Sequence, residues 1–73
     1  METKQRTKLT WIRKMRGLSQ AELARQAGVS VNVIRHYEQR IRHIDNATGD
    51  TLWKLATALE VPMEALLEHD QNN

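Results

Sequence analysis

Signals that start and stop helices recur at short intervals along this chain, and they constrain the fold more than any other feature. Ser19 and Glu22 form a capping-box pattern, in which each side chain satisfies a backbone N–H at the start of a helix. Gly17 and Gly28 mark helix ends, because glycine adopts the left-handed conformation that a C-terminal cap needs. Pro62 marks another helix start, where its missing N–H costs nothing. We therefore predict an all-α fold, a compact bundle of five short helices.

Each predicted helix carries apolar residues at helical spacing. The helices run over residues 8–16, over 20–27, from a cap at Ser30 to about residue 39, then from a cap at Thr48, and finally from Pro62. The residues expected to face the core are Leu9, Ile12, Met15, Leu23, Ala24, Ala27, Val33, Ile34, Tyr37, Ile41, Leu52, Leu55, Ala56, Leu59, Met63, Leu66 and Leu67. Trp11 and Trp53 are expected to pack at the core or its edge rather than to stack on bases.

Composition excludes several classes of protein. At 73 residues the chain makes one domain, and the absence of cysteine excludes disulfides, cysteine zinc sites and thiol catalysis. No apolar run approaches the ~20 residues that cross a bilayer, so we expect a soluble, cytoplasmic protein without membrane association. Paired carboxylates, glycine-rich phosphate loops and a nucleophile beside a base are missing, and His36 and His43 lack the spacing of a metal pair. We expect neither an enzyme nor a cofactor or metal site.

Charge is distributed unevenly along the chain, although the net charge is only +2. Residues 1–44 contain ten basic and three acidic residues, whereas residues 45–73 contain one basic and six acidic residues. The basic part favours an anionic partner. Residues 1–7 are expected to form a flexible basic arm, and residues 69–73 a disordered tail.

The segment from about residue 19 to 39 has the layout of a helix-turn-helix, two short helices joined by a tight turn. Ala24 is small enough for the helices to cross closely, and Gly28 can take the positive φ that the turn requires. At 100° per residue, the second of these helices divides into an apolar arc and an opposite arc. The opposite arc carries Val31, Asn32, Arg35, His36 and Gln39. One face is therefore predicted to pack and the other to meet a partner.

Three strings of residues extend the pattern over nearly the whole chain. They are Arg13-x-x-Arg16-Gly17-Leu18-Ser19-Gln20-x-x-Leu23-Ala24, Gly28-Val29-Ser30-x-x-x-Ile34-x-x-Tyr37-Glu38, and Thr51-Leu52-x-Lys54-Leu55-Ala56-x-Ala58-Leu59-x-Val61. With them the chain resembles the lambdoid phage repressor and Cro family, also called the XRE-type helix-turn-helix family. The resemblance implies a bacterial or phage-encoded protein with a lambda-repressor-like DNA-binding domain over residues 8–68.

The same resemblance implies that outward side chains of the third helix read base edges in the major groove of double-stranded DNA. The implied base contacts are Val31, Asn32, Arg35 and His36. Asn32 can bond adenine through N6 and N7, Arg35 can grip guanine through O6 and N7, and Val31 suits a thymine methyl group.

Contacts to DNA phosphates are implied for a second group, which positions the protein without reading sequence. Gln20, at the first position of the second helix, is similar to the family glutamine that bonds a phosphate. The implied phosphate contacts are Gln20, Ser30, Gln39, Arg40, Arg42 and His43. Arg13 and Glu38 resemble the family's structural ion pair between the first and third helices, so Arg13 is expected to serve the fold.

Two departures from the family pattern affect the end of the third helix. Arg40 replaces the usual C-cap glycine, so either the helix runs on past Arg40 or Arg40 adopts a left-handed conformation that costs about 1–2 kcal/mol. The loop from Glu38 to Thr51 is also longer than in the simplest members.

Two hypotheses for function follow from these features. The first is a small sequence-specific transcriptional regulator, a repressor that acts as a homodimer on a palindromic operator. The alternative is an antitoxin or adaptor that uses the same fold to bind a protein partner through its fourth and fifth helices. Val31 on the outer face and the acidic, leucine-bearing last third of the chain motivate this alternative.

Overall fold

The structure, a computed structural model, describes residues 6–68 and shows a helical fold in which this part of the chain contains no strand. The α-helices are α1 (Lys8–Met15), α2 (Gln20–Ala27), α3 (Val31–Glu38) and α4 (Gly49–Leu59). Ile44–Asn46 forms the first 3₁₀ helix, and Met63–Leu66 forms the second. The predicted all-α class is confirmed. Residues 1–5 of the predicted arm and the predicted tail 69–73 lie outside the described residues.

The predicted count of five helices is wrong, because the described part has four α-helices. The chain after Pro62 makes a 3₁₀ helix of four residues and returns to extended backbone at Leu67. Helical segments as short as this commonly adopt the tighter 3₁₀ form, which rarely extends beyond three or four residues. The first 3₁₀ helix was not predicted, because its three residues show no periodicity.

Each of the four α-helices begins after a hydroxyl residue whose side chain accepts a backbone N–H, which explains why these segments are helical. These N-caps are Thr7, Ser19, Ser30 and Thr48. The capping box of α2 is complete, with 3.0 Å from the Glu22 N–H to Ser19 Oγ and 2.8 Å from the Ser19 N–H to Glu22 Oε1. The sequence assigns Thr7 to the flexible arm, but Thr7 is buried and bonded to Thr10, so the packed domain includes it.

The four α-helices also share one geometry at their C-terminal ends. A backbone N–H bonds the carbonyl five residues earlier, and the pairs are Leu18 to Arg13, Val29 to Ala24, Ile41 to His36 and Val61 to Ala56. The residue before each of these N–H groups is left-handed, and φ is 73° at Gly17, 75° at Gly28, 61° at Arg40 and 63° at Glu60. This arrangement is the Schellman motif, which satisfies carbonyls that the helix leaves unpaired.

The end of α3 decides between the two alternatives that the sequence leaves open. The helix stops at Glu38, Gln39 is the C-cap, and Arg40 takes the left-handed conformation. An L-residue with a side chain pays about 1–2 kcal/mol for that conformation, so Arg40 is a strained position.

The core lies where α2 packs against α3 and α4, with α1 and the second 3₁₀ helix closing the other sides. Its fully buried side chains are Leu9, Leu23, Ile34, Leu55, Leu59 and Leu66. Gly28, left-handed at the turn, lets α3 fold back onto α2. Between residues 6 and 68 no helix combines the length and apolar character needed to span a membrane.

Five apolar residues that were expected to pack are instead exposed. Met15 is 76% exposed, Ile41 65%, Trp11 and Trp53 58% each, and Met63 37%. Met15 is the last residue of α1 and Ile41 lies beyond α3, so the apolar stripe continues past the packed part of each helix. Helical spacing fixes the direction of a side chain around its axis, but it does not determine whether another element covers that side chain.

Candidate functional site

The two faces of α3 differ sharply in burial. Ile34 and Tyr37 point into the core, whereas Asn32 and Arg35 are exposed on the other side. Val31 and His36 are half-buried, and Val31 packs against the edge of the core. The four residues predicted to contact bases therefore lie on or beside the outward face, with Asn32 and Arg35 the most accessible.

Asn32 and Arg35 are bonded to each other on this face. The Arg35 guanidinium donates from Nη1 to Asn32 Oδ1 at 2.8 Å, across one turn of α3. The Asn32 backbone is held as well, because its N–H donates to the N-cap oxygen, Ser30 Oγ, at 3.0 Å. Ser30, a predicted phosphate contact, thus caps the helix that carries the predicted base contacts. Sequence analysis assigned these two side chains to different bases and did not predict their coupling.

The remaining predicted phosphate contacts on this side follow α3 directly. Gln39, Arg40, Arg42 and His43 are all exposed. Arg40, Arg42 and His43 line a common cavity of about 50 Å³. The positive φ of Arg40 and the bonds from the Ile41 and Arg42 N–H groups to the His36 carbonyl bring this segment back against the end of α3. The strained turn therefore gathers three cationic or titratable side chains beside the outward face.

Arg13 and Glu38 form a bidentate ion pair between α1 and α3. Arg13 Nε lies 2.6 Å from Glu38 Oε2 and Nη2 lies 3.0 Å from Oε1, while Nη1 donates to the Leu18 carbonyl at 2.8 Å. Both side chains are nearly enclosed, at 10% and 7% exposure. Gln20 joins this pair, because its Nε2 donates to Glu38 Oε1 at 2.9 Å. The first residue of α2 is thus bonded to the end of α3, and this bond uses one of the two Nε2 hydrogens of Gln20.

The environment of Glu38 favours its charged form. Burial acts to raise the pKa of Glu38, but hydrogen bonds from Arg13 and Gln20, together with the Arg13 charge, outweigh burial and hold the pKa below its ordinary value. The carboxylate therefore stays ionised at neutral pH and links α1, α2 and α3 through Arg13 and Gln20.

Glu68, the last residue that the structure describes, contacts the start of α1 and Arg40. Its Oε2 accepts the Lys8 backbone N–H at 2.6 Å, and its Oε1 lies 3.8 Å from Arg40 Nη1. Its own N–H donates to Asp45 Oδ1 at 2.7 Å. Glu68 was not predicted as a site residue, because no local pattern signals a contact between residues 60 positions apart. A carboxylate here lies at the first turn of α1, where the helix dipole favours negative charge.

The protein-partner alternative needs apolar surface on α4 and the segment after it, and two large apolar side chains are exposed there, Trp53 at 58% and Met63 at 37%. Leu66 is fully buried and Leu67 is half-buried. In residues 6–68 no three His, Asp or Glu side chains are grouped in a way that could hold a metal ion.

Comparison with known proteins places this geometry in context. A helix-turn-helix family model matches residues 9–66. The HTH-type transcriptional regulator SutR of Escherichia coli strain K12 is 36% identical over 66 residues, which cover 90% of this chain. The N-terminal DNA-binding domain of SinR from Bacillus subtilis superposes with a TM-score of 0.75 at 28% identity and covers 88% of this chain and 90% of that domain.

The two similarities differ in extent. The matched region makes up 35% of SutR, so the chain spans about a third of the length of this curated relative. These names describe a regulator and a DNA-binding domain, not enzymes.

Proposed function

The chain belongs to the helix-turn-helix family, and from this premise we propose that it is a sequence-specific transcriptional regulator that binds double-stranded DNA. In this proposal α3 enters the major groove and its outward side chains contact base edges. Val31, Asn32, Arg35 and His36 are the proposed base contacts.

One observation carries the proposal, namely the exposure of Asn32 and Arg35 on a helix whose opposite face is buried in the core. Amide and guanidinium groups are the side chains that bond purine edges most often. Ile34 and Tyr37 pack α3 into the core, and this packing determines which face of the helix carries the two groups. The similarity to SutR and to the SinR DNA-binding domain supports the same conclusion.

Phosphate contacts would fix this helix in the groove. We assign them to Gln20, Ser30, Gln39, Arg40, Arg42 and His43. Gln20 lies at the N-terminus of α2, where backbone N–H groups also favour an anion. Arg40, Arg42 and His43 lie together just beyond the C-terminal end of α3, the end to which Gln20 is bonded through Glu38, whereas Ser30 lies at the N-terminal end. The proposed phosphate contacts would therefore flank both ends of the recognition helix.

The finer proposal is a repressor that binds a palindromic operator as a homodimer. A single α3 reads only a few base pairs, and a symmetric pair of domains doubles that number with half-sites about one helical turn apart. The basic arm predicted before Thr7, which itself packs in the domain, would add contacts to the backbone or the minor groove.

Fluorescence anisotropy on duplexes selected from a random library tests the proposal. We expect Asn32→Ala and Arg35→Ala each to weaken operator binding by about 1–3 kcal/mol and to affect random duplex less, whereas Gln20→Ala weakens both alike. Arg16→Ala is the matched control for loss of a cation, because Arg16 contacts Glu60 at the end of α4 and is not a proposed DNA contact. Equal losses on operator and random DNA for all three variants would contradict sequence-specific reading by α3.

Operator length tests the dimer. A duplex with two selected half-sites should bind two protein chains with an affinity well above that of either half-site alone, and sedimentation would report the stoichiometry. Binding of one chain to the full operator would contradict a homodimer.

A further inference from the structure

The bond between Arg35 and Asn32 restricts what Asn32 can recognise. Asn32 Oδ1 accepts from Arg35 Nη1 at 2.8 Å, so the amide is held by its oxygen and its Nδ2 hydrogens remain to donate. Arg35 has no acceptor at all. Most of the hydrogen-bonding capacity left on the pair is therefore N–H donors, with one lone pair of Asn32 Oδ1 beside the guanidinium. The Ser30 cap holds the backbone N–H of Asn32.

Adenine and guanine place different demands on such a surface. An asparagine that reads adenine accepts from the N6 amino group through its oxygen and donates to N7 through its nitrogen. Here an adenine amino group would direct a second N–H at an oxygen already bonded to Arg35, and its hydrogens would lie beside the guanidinium charge. Guanine avoids this conflict, because both O6 and N7 are acceptors.

We propose that Arg35 holds the Asn32 amide by its oxygen, so that the two side chains act as one mainly donating, positively charged unit and select guanine over adenine at the base pair that Asn32 contacts. This inference rests on the proposed function, since it concerns the bases that α3 reads. It makes Arg35 a specificity-determining residue for two positions, its own base contact and that of its neighbour. It also replaces the adenine contact that the sequence alone suggested for Asn32.

Selection of bound duplexes from a random library, carried out with the full chain and three variants, tests the inference. Asn32→Ala identifies the relevant base pair as the one at which preference is lost. Arg35→Ala frees Asn32 Oδ1, and Arg16→Ala controls for the loss of one cation away from α3. The side chains of Asn32 and Arg35 are exposed, so both alanine variants should fold, and circular dichroism verifies this for each.

We expect the base preference to reverse in Arg35→Ala and not simply to be lost. The wild-type protein and Arg16→Ala should prefer guanine at the Asn32-dependent position by roughly 5- to 150-fold in dissociation constant, and Arg35→Ala should prefer adenine there. An adenine preference in the wild-type protein, guanine retained in Arg35→Ala, or no position that depends on Asn32 would each overturn the inference while leaving DNA binding intact. A wild-type protein that retains no duplex would instead overturn the proposed function, and the inference with it.

Discussion

The guanidinium of Arg13 is surrounded by two carboxylate oxygens of Glu38 and the carbonyl of Leu18, which commits this cation to the fold. Taking two charges out of water is costly, and the cost is repaid only when geometry is good and the other donors are bonded. The bidentate contact and the Gln20 amide meet both conditions. Removing one member of the pair should therefore lower the free energy of unfolding far more than replacing both members with apolar residues.

Substitution of one member of this pair should destabilise the domain strongly. Arg13→Ala leaves the enclosed Glu38 carboxylate without its main partner, and we expect the free energy of unfolding to fall by about 3 kcal/mol or more. Arg13→Met combined with Glu38→Leu removes both charges at similar volume. This double variant should be less destabilised than Arg13→Met alone or Glu38→Leu alone. Urea unfolding followed by circular dichroism measures all of these. A double variant whose loss equals the sum of the single losses would contradict the enclosed ion pair.

Acid stability should depend on the same carboxyl group. The pKa of Glu38 in the folded protein lies below its ordinary value of 4.5, so the unfolded chain binds the proton more readily. The stabilisation is therefore complete above pH 4.5 and is lost as pH falls through the folded-state pKa. Glu38→Gln should be less stable than the wild-type protein at neutral pH and should lose less free energy of unfolding on acidification. The stabilities of the two proteins should therefore converge below the folded-state pKa of Glu38.

Unfolding at a series of pH values measures this convergence. Glu22 provides a background that both proteins share, because the Ser19 backbone N–H lowers the pKa of its carboxyl group as well. A difference in stability that stays constant from pH 7 to acid would show that Glu38 gains nothing from its charge in the fold.

At the scale of helices, the starts were predictable and the ends only in part. Ser19, Ser30 and Thr48 were assigned as caps from sequence, and each caps the expected helix, because capping depends on residues within one turn. Gly17 and Gly28 were likewise recognised as helix ends. Arg40 and Glu60 end helices in the same left-handed geometry without glycine, which the family resemblance left open as one of two alternatives for Arg40 and did not indicate for Glu60.

A signal for these ends was nevertheless present. Each left-handed residue is followed by an apolar one, and these four are Leu18, Val29, Ile41 and Val61. An apolar residue after the C-cap often accompanies the Schellman motif. The contrast between buried and exposed apolar residues was less predictable, since exposure of Met15 and Trp11 depends on which elements meet in three dimensions.

Glycine substitution at the two strained ends should separate stability from DNA binding. Arg40→Gly and Glu60→Gly each relieve a left-handed L-residue, and we expect each to raise the free energy of unfolding by up to about 1 kcal/mol, because part of the relief is offset by lost side-chain contacts. Arg40 is also a proposed phosphate contact, so Arg40→Gly alone should weaken binding to all duplexes and reduce the dependence of affinity on salt.

Glu60→Gly serves as the matched control for this experiment, because φ at the two positions differs by little, 61° against 63°. Thermal unfolding and anisotropy with a salt titration provide both readouts. Equal effects of the two substitutions on DNA affinity would exclude Arg40 from the phosphate contacts.

At the scale of the whole molecule, folding mixes charges that the sequence keeps apart. Ten of the eleven basic residues precede residue 45 and six of the nine acidic residues lie from residue 45 onward, yet two ion pairs cross that boundary, Arg16 with Glu60 and Arg40 with Glu68. The sequence could indicate which residue types the site uses and which helix presents them. It could not indicate that an acidic side chain lies among the proposed phosphate contacts, because that depends on where the chain returns after α4.

Glu68 should therefore weaken DNA binding in the wild-type protein. A phosphate approaching Arg40 meets the Glu68 carboxylate 3.8 Å from the guanidinium, and like charges oppose it. Glu68→Gln removes that charge and leaves an oxygen to accept the Lys8 N–H, so we expect affinity for duplex DNA to rise roughly 2- to 5-fold at low salt, the range of a partly exposed ion pair.

Glu64→Gln removes one negative charge from the exposed side of the second 3₁₀ helix and controls for the change in net charge. Anisotropy at several salt concentrations measures both variants, and the difference between them should shrink as salt screens the repulsion. Equal gains for the two variants would mean that only net charge matters and that Glu68 does not oppose phosphate at Arg40.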